Sequence, residues 1–153
     1  MTLIEKINAD LKTAMLARDE FTTTTLRGLK SAILYEEVAK GKRDEGLTDD
    51  EVQAVVAKEV KKRDDALKIY AKAGDNERAD REDREYRILM NYMPKQLEYD
   101  ELKAIVEQVV KDGDFGAKDM GRVIGAVKQQ VGGGASGDKI ANLVREVLQP
   151  DRN

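Results

Sequence analysis

A chain of 153 residues with 41% apolar and 37% charged content has the composition of one folded domain or two small ones, not of a disordered segment. It has no cysteine and no histidine, which excludes a disulfide framework, serine–histidine and cysteine–histidine nucleophilic chemistry and the usual zinc hydrolases, leaving carboxylate catalysis and Mg²⁺ sites as the open options. Its 27 basic and 30 acidic side chains give a net charge of −3 and are interleaved, so no overall field draws the chain to nucleic acid and any RNA contact has to be local.

With two Phe, five Tyr and no Trp, the core has to be built from Leu, Ile, Val, Ala and Met, which suits helix packing. Thr2-Leu3-Ile4-Glu5 forms a capping box, and Ile4, Ile7, Leu11, Ala14 and Met15 follow at helical spacing, predicting a first helix that ends near Arg18-Asp19. Nothing at the start resembles a basic n-region followed by an apolar h-region, and no apolar run approaches 18 residues, so cytoplasmic residence is expected and no membrane partner.

The β-branched run Thr22 to Thr25 passes into Leu26, Leu29, Ala32 and Ile33, predicting a second helix that starts in the threonines and stops at about Lys40-Gly41. After the charged turn from Lys42 to Gly46, Thr48 and Glu51 form a second capping box. Val52, Val55, Val56, Val60, Ala66, Leu67 and Tyr70 then mark a long third helix ending at Ala73-Gly74. Glu59 and Arg63 interrupt that stripe. They sit either at its edge with packed stems and solvated heads, or as a polar contact point for a partner.

A fourth helix is predicted over Asp80 to Met93 and is ended by Pro94. A domain boundary follows, giving residues 1–94 as an N-terminal helical domain, 95–99 as a linker and 100–149 as a C-terminal domain. In the latter, Leu102 to Val110, Met120 to Val127 and Ile140 to Leu148 make three short amphipathic helices that must share a core. Pro94 and Pro150 both lie outside the periodic stretches.

Gly132-Gly133-Gly134-Ala135-Ser136-Gly137 fits two phosphate-loop templates in outline, but a helical pattern leads into it, and Asp138 and Ile140 stand where a P-loop needs lysine and a hydroxyl. The predicted role is a helix–helix connector, with Ser136 as N-cap and Asp138 favouring the helix N-terminus. Glu82 and Glu85 suggest paired carboxylates, yet Arg78, Arg81, Arg84 and Arg87 surround them at helix-pair spacing, so a surface ion-pair lattice is the better account.

Several segments, taken in order, resemble successive signatures of the GatB/YqeY family, specifically its stand-alone YqeY-like members. They are Thr25 to Ile33, Lys62-Arg63-Asp64-Asp65-Ala66 with Tyr70 and Ala73-Gly74, Glu82 with Tyr92-Met93-Pro94, and Asp119-Met120-Gly121-Arg122-Val123. The likeness spans nearly the whole chain and departs from the family pattern at Gly133 to Gly137 and at Glu98. It implies an all-α protein, with a multihelical N-terminal domain of long helices followed by a small C-terminal three-helix bundle. It also implies a link to translation, because a similar module is the tail of the B subunit of tRNA-dependent amidotransferase and contacts tRNA away from the chemistry. The catalytic cradle of that subunit, with its metal and ATP-phosphate site, has no counterpart here, so no catalytic residue, cofactor or metal is expected.

An RNA contact on such a chain needs a few cations on one face. Lys118 and Arg122 stand four apart beside Gly121, whose missing side chain permits close backbone approach, and Lys128, Lys139 and Arg145 extend the candidate surface. Each also reads as part of a solvated face, and Gly121 as a glycine at a helix–helix crossing. Lys58, Lys61 and Lys62 form a weaker basic cluster, diluted by Asp64 and Asp65.

Three functions are compatible with these features. The first is a non-catalytic YqeY-like adaptor that binds tRNA or a translation-related protein. The second is an RNA-independent protein-interaction module whose long N-terminal helices present an apolar groove. The third is carbon–nitrogen ligase activity with glutamine as amido donor, which rests on the family label alone.

Overall fold

The computed structural model describes residues 1–149, all of whose regular elements are helical. They are α1 (Leu3–Leu16), α2 (Glu20–Ala39), α3 (Asp49–Lys72), α4 (Asn76–Met90), α5 (Tyr99–Asp112), α6 (Met120–Val131) and α7 (Gly137–Leu148), with short 3₁₀ turns at Ala117–Asp119 and Gly132–Gly134. Pro150 lies outside the described residues. None of the described helices is long and apolar enough to cross a membrane. The chain divides into two compact units, Met1–Met93 and a second from Pro94 onward.

Capping chemistry sets most of the helix limits. The Thr2 hydroxyl accepts the Glu5 N–H at 3.2 Å while the Glu5 carboxylate takes the Thr2 N–H at 2.8 Å, and Thr48 and Glu51 repeat the arrangement at α3. The second helix starts earlier than the threonine run suggested. Asp19 is its N-cap, accepting the Thr22 N–H at 3.1 Å and the Thr22 hydroxyl at 2.7 Å.

Helices α1, α2, α3 and α5 end alike: the residue after the cap turns left-handed, and the next N–H returns to a carbonyl five residues back. Glycine holds the left-handed position at Gly41 and Gly74, but Arg18 and Asp114 hold it at φ 57° and 50°. The same motif explains why α4 begins at Asn76 and not at Asp80. Gly74 stops α3, and Asp75 at once caps the new helix through the Arg78 N–H at 3.2 Å. The helix also ends at Met90, before the Tyr92-Met93-Pro94 turn.

In the first unit α3 and α4 pack along one another, α1 pairs with α2, and α2 closes on both α3 and α4. Ile7, Leu26, Leu29, Val52, Val56 and Leu89 are fully buried between them. Tyr92 seals this core from the chain end, its hydroxyl donating to Asp10 at 2.7 Å and Lys6 lying over its ring. Burial, followed by the Asp10 bond, pushes the Tyr92 phenol well above its ordinary pKa.

Glu51 ties the α2–α3 loop to α3. Its carboxylate meets Lys42 at 2.9 Å and Lys40 at 3.2 Å while accepting the Thr48 N–H at 3.1 Å, and these contacts, the Lys42 bond foremost, lower its pKa from 4.5 to about 2. A carboxylate with a depressed folded-state pKa adds stability that is complete above its unfolded value and disappears as pH falls through the folded one. The Glu51→Gln variant should therefore be less stable than the parent at neutral pH, and the gap in urea midpoint should close between pH 4.5 and about 2. An equal gap at pH 7 and pH 2.5 would contradict this assignment.

In the second unit α5, α6 and α7 pack pairwise around Leu102, Val106, Val123, Val127, Ile140 and Val144. The segment expected to be a linker is bound into this unit. The Gln96 side chain donates to the Gly133 carbonyl at 2.9 Å, the Leu97 N–H donates to the Gly134 carbonyl at 2.8 Å, and Tyr99 already belongs to α5. Gly134 is buried against Leu97, and a Cβ there would contact the Leu97 side chain at 3.5 Å. The glycine run is thus a connector packed on the chain that enters α5, with Ser136 capping α7 through the Lys139 N–H at 3.2 Å.

Candidate nucleic-acid interface

Helix α6 turns Met120, Val123, Ile124 and Val127 toward the core, which leaves Gly121, Arg122, Gly125, Lys128 and Gln129 exposed. Gly121 is not at a helix crossing, since a Cβ added there meets nothing within 4 Å. The same holds at Gly125, one turn further on, which the sequence reading passed over although a glycine pair four apart in a helix is a readable signal. Two turns of helix backbone are therefore bare on the outer side. Because the space is open, Gly121→Ala should stabilise the protein by about 0.5–1 kcal/mol through helix propensity alone, measurable as a raised urea midpoint.

Lys118 lies in the 3₁₀ turn before α6 and is exposed. Asp119 beside it is engaged with backbone, its carboxylate accepting the Gly116 N–H at 3.0 Å. The Lys128 ammonium lies 3.5 Å from the point a Cβ on Gly137 would occupy, so it reaches from α6 to the start of α7. Lys139 shares a flank of α7 with Glu146, seven residues on, and Glu146 accepts from the Tyr99 hydroxyl on α5. Arg145 stands about 120° round α7 from Lys139 by helical periodicity and bonds the Asn142 side-chain oxygen at 3.2 Å. Lys118 thus lies in the turn before α6, and Arg122 and Lys128, six residues apart, flank the Gly121–Gly125 strip about 120° from one another, the same separation that Lys139 and Arg145 have on α7.

Charge is unevenly distributed within this unit. Up to Asp114 it carries Glu98, Asp100, Glu101, Glu107, Asp112 and Asp114 against Lys95, Lys103 and Lys111; beyond that point its five candidate cations face Asp119, Asp138 and Glu146. Among the described residues, none of those five cations forms an ion pair with a carboxylate.

The first unit behaves differently. Lys61 meets Asp65 at 3.7 Å and Lys62 meets Glu59 at 3.2 Å, so the weaker basic cluster is largely neutralised. Arg63 bonds Glu59 at 2.8 Å and reaches Glu85 on α4 at 3.1 Å, with all three side chains mostly covered. The break in the α3 stripe is therefore an ionic bridge between two packed helices, with its guanidinium satisfied inside the fold. Arg87–Asp83 at 3.0 Å and Arg78–Asp75 at 3.6 Å supply part of the expected surface lattice. Glu82 lies outside those pairs, and burial, then the neighbouring Glu85 charge, raises its pKa.

These features define a class: an all-helical protein in two units, the first laced with ion pairs and the second presenting, around bare helix backbone, cations that have no carboxylate partner among the described residues. The sequence profile of the family described as Yqey-like protein matches residues 4–148, and the chain belongs to that family. Curated relatives share the name "Altered inheritance of mitochondria protein 41, mitochondrial". The protein of Lachancea thermotolerans is 32% identical over 91 residues, covering 59% of this chain and 47% of the relative. That of Kluyveromyces lactis is 34% identical over 89 residues, covering 58% and 47%. That of Clavispora lusitaniae is 25% identical over 135 residues, covering 84% and 74%. The chain thus spans about half the length of the first two relatives.

The expected cytoplasmic residence is overturned by these relatives, which are all named as mitochondrial proteins. The expectation rested on the missing leader pattern and the lack of a long apolar run, and neither property selects a compartment. A helical body with a charged surface folds by the same physics in either.

Proposed function

We propose that the protein is a non-catalytic adaptor whose second unit docks tRNA along the turn and outer side of α6. The observation that carries this reading is the set of cations without a carboxylate partner among the described residues, Lys118, Arg122 and Lys128, around the exposed backbone at Gly121 and Gly125. Folded RNA offers a phosphate ridge, and cations not already held by carboxylates meet it without first breaking an ion pair. The bare glycine turns let that ridge approach closer than a side-chain-covered helix permits. The absence of imidazole and thiol groups from the chain supports binding without chemistry.

Filter binding of the whole chain to tRNA, organellar tRNA included, should show saturable binding at low ionic strength that weakens steeply with salt. Retention of tRNA no greater than that of a buffer control would remove the proposal. Gly121→Ala adds an independent check, because the variant should be more stable and yet bind tRNA more weakly. Unchanged affinity would mean that the backbone there is not a contact.

A further inference from the structure

Helix α4 carries a carboxylate in the line of its core residues. By helical period Glu82 stands on the same side as the buried Ala79 and Leu89, and it is partly covered there. The α3 stripe is polar over the matching stretch, where Glu59 and Arg63 interrupt it, so the α3–α4 seam holds three carboxylates, Glu59, Glu82 and Glu85, about one guanidinium. Arg63 gives Nη1 to Glu59 at 2.8 Å and Nε to Glu85 at 3.1 Å. Glu82 lies within the field of both Arg63 and Glu85, yet it has no hydrogen bond and no ion pair among the described residues.

The surrounding charges are engaged elsewhere or turned away. From α3, Lys62 is bonded to Glu59 at 3.2 Å and Asp64 is held by Lys68 at 2.9 Å. On α4 itself, Arg81 is exposed and stands about 100° round the helix from Glu82, Arg78 meets Asp75 at 3.6 Å, Asp83 pairs with Arg87 at 3.0 Å, and Arg84 lies over the Phe21 ring on the opposite side. α2 brings Asp19, whose carboxylate accepts from Thr22 and faces Arg84. Burial is the largest influence on Glu82 and the Glu85 charge the next; together they outweigh Arg63 and Arg81, and its pKa lies above the ordinary 4.5. The linkage is opposite in sign to that of Glu51: a raised carboxylate costs stability, fully felt above the folded pKa and absent below the unfolded one.

We infer that Glu82 is a proton-operated latch on the α3–α4 seam: charged at neutral pH, it keeps the stretch from Glu59 to Tyr70 and from Ala79 to Tyr86 below its full stability, and on taking a proton it donates to Glu85 and tightens that stretch. Glu85 is three residues on, within reach on a helix, and only its Oε2 is bonded to Arg63, so Oε1 is left to accept. Carboxyl and carboxylate then share one proton, which removes the repulsion between them and leaves the Arg63 bridge intact. A packed segment weakened at one point in this way opens more readily than the rest of its unit. The latch belongs to the first unit and needs no RNA, so it stands apart from tRNA docking on α6.

The test compares the full-length parent with Glu82→Gln, which keeps the shape of the side chain and fixes it uncharged, by amide hydrogen exchange read as protection factors across pH. At pH 7 the variant should protect the amides of residues 63–70 and 79–86 at least about twofold more than the parent, with those of α5, α6 and α7 unchanged. The advantage should shrink as pH falls through the raised pKa and be gone below 4.5. Both chains lose the Glu51 contribution alike on acidification, so their difference isolates Glu82. In a Glu85→Gln background the gain from Glu82→Gln should be smaller, because part of the repulsion it relieves is already absent. The inference is overturned by equal or lower protection in the variant at pH 7, by a gain that persists undiminished at about pH 4, or by an undiminished gain in the Glu85→Gln background.

Discussion

Replacing Lys118, Arg122 and Lys128 together by alanine is expected to weaken tRNA binding about a hundredfold, near 2.7 kcal/mol, or some 0.9 kcal/mol for each lost phosphate contact. The variant should also flatten the dependence of log affinity on log salt by about two to three in slope, because fewer counterions are released on binding. All three side chains are exposed, so the fold should be unaffected. Lys103→Ala with Lys111→Ala is the matched control: these cations stand on α5 among six carboxylates, and their loss should change affinity little. Lys139→Ala and Arg145→Ala then report which flank of α7 the RNA follows, since the two residues point about 120° apart. Equal losses for the α6 triple variant and the α5 control would reduce the interaction to nonspecific charge and retire the α6 assignment.

Truncating Tyr92 should have the largest effect on stability. The ring is 4% exposed, packs on the core shared by α1, α2, α3 and α4, and bonds a carboxylate 82 residues away. Tyr92→Ala leaves a cavity at the point where the chain leaves the first unit, at a cost of about 3–5 kcal/mol. Tyr92→Phe keeps the ring and removes only the hydroxyl, costing about 1–2 kcal/mol, because Asp10 is partly exposed and water replaces much of the lost bond. Urea unfolding followed by circular dichroism separates the two terms. If Tyr92→Phe lost as much as Tyr92→Ala, the Asp10 bond and not the packing would be what holds the chain end.

Much of the helical layout was legible because its causes are local. Thr2 with Glu5 and Thr48 with Glu51 act over three residues, and the apolar stripes of α1, α3, α5 and α7 repeat over one turn. The glycine run was readable as a connector for the same reason: the residues on either side of it carry helical periodicity, and Ser136 caps α7. The start of α4 was not legible, because Asn76 to Arg78 hold no apolar residue to extend the stripe backward and only the Asp75 cap marks the beginning. For the candidate interface, the sequence offered the cations Lys118, Arg122, Lys128, Lys139 and Arg145, together with Gly121. It did not offer their grouping, which depends on how the flanks of α6 and α7 face one another.

The amino-acid order alone determined that the chain is helical, roughly where each helix lies and that imidazole and thiol chemistry are absent, since capping, periodicity and composition act within a few residues or need no geometry at all. Tertiary structure alone decided which polar groups are satisfied and which backbone is left bare. Arg63 finds Glu85 only because α4 folds back along α3, Gln96 finds Gly133 only because the connector packs on the entry to α5, and Gly121 is bare only because no helix crosses α6 there. A polar partner 22 or 37 residues away is set by tertiary packing, and for Arg63 by the crossing of α3 and α4. That crossing is fixed by the buried faces, so the outer faces receive their electrostatic character last.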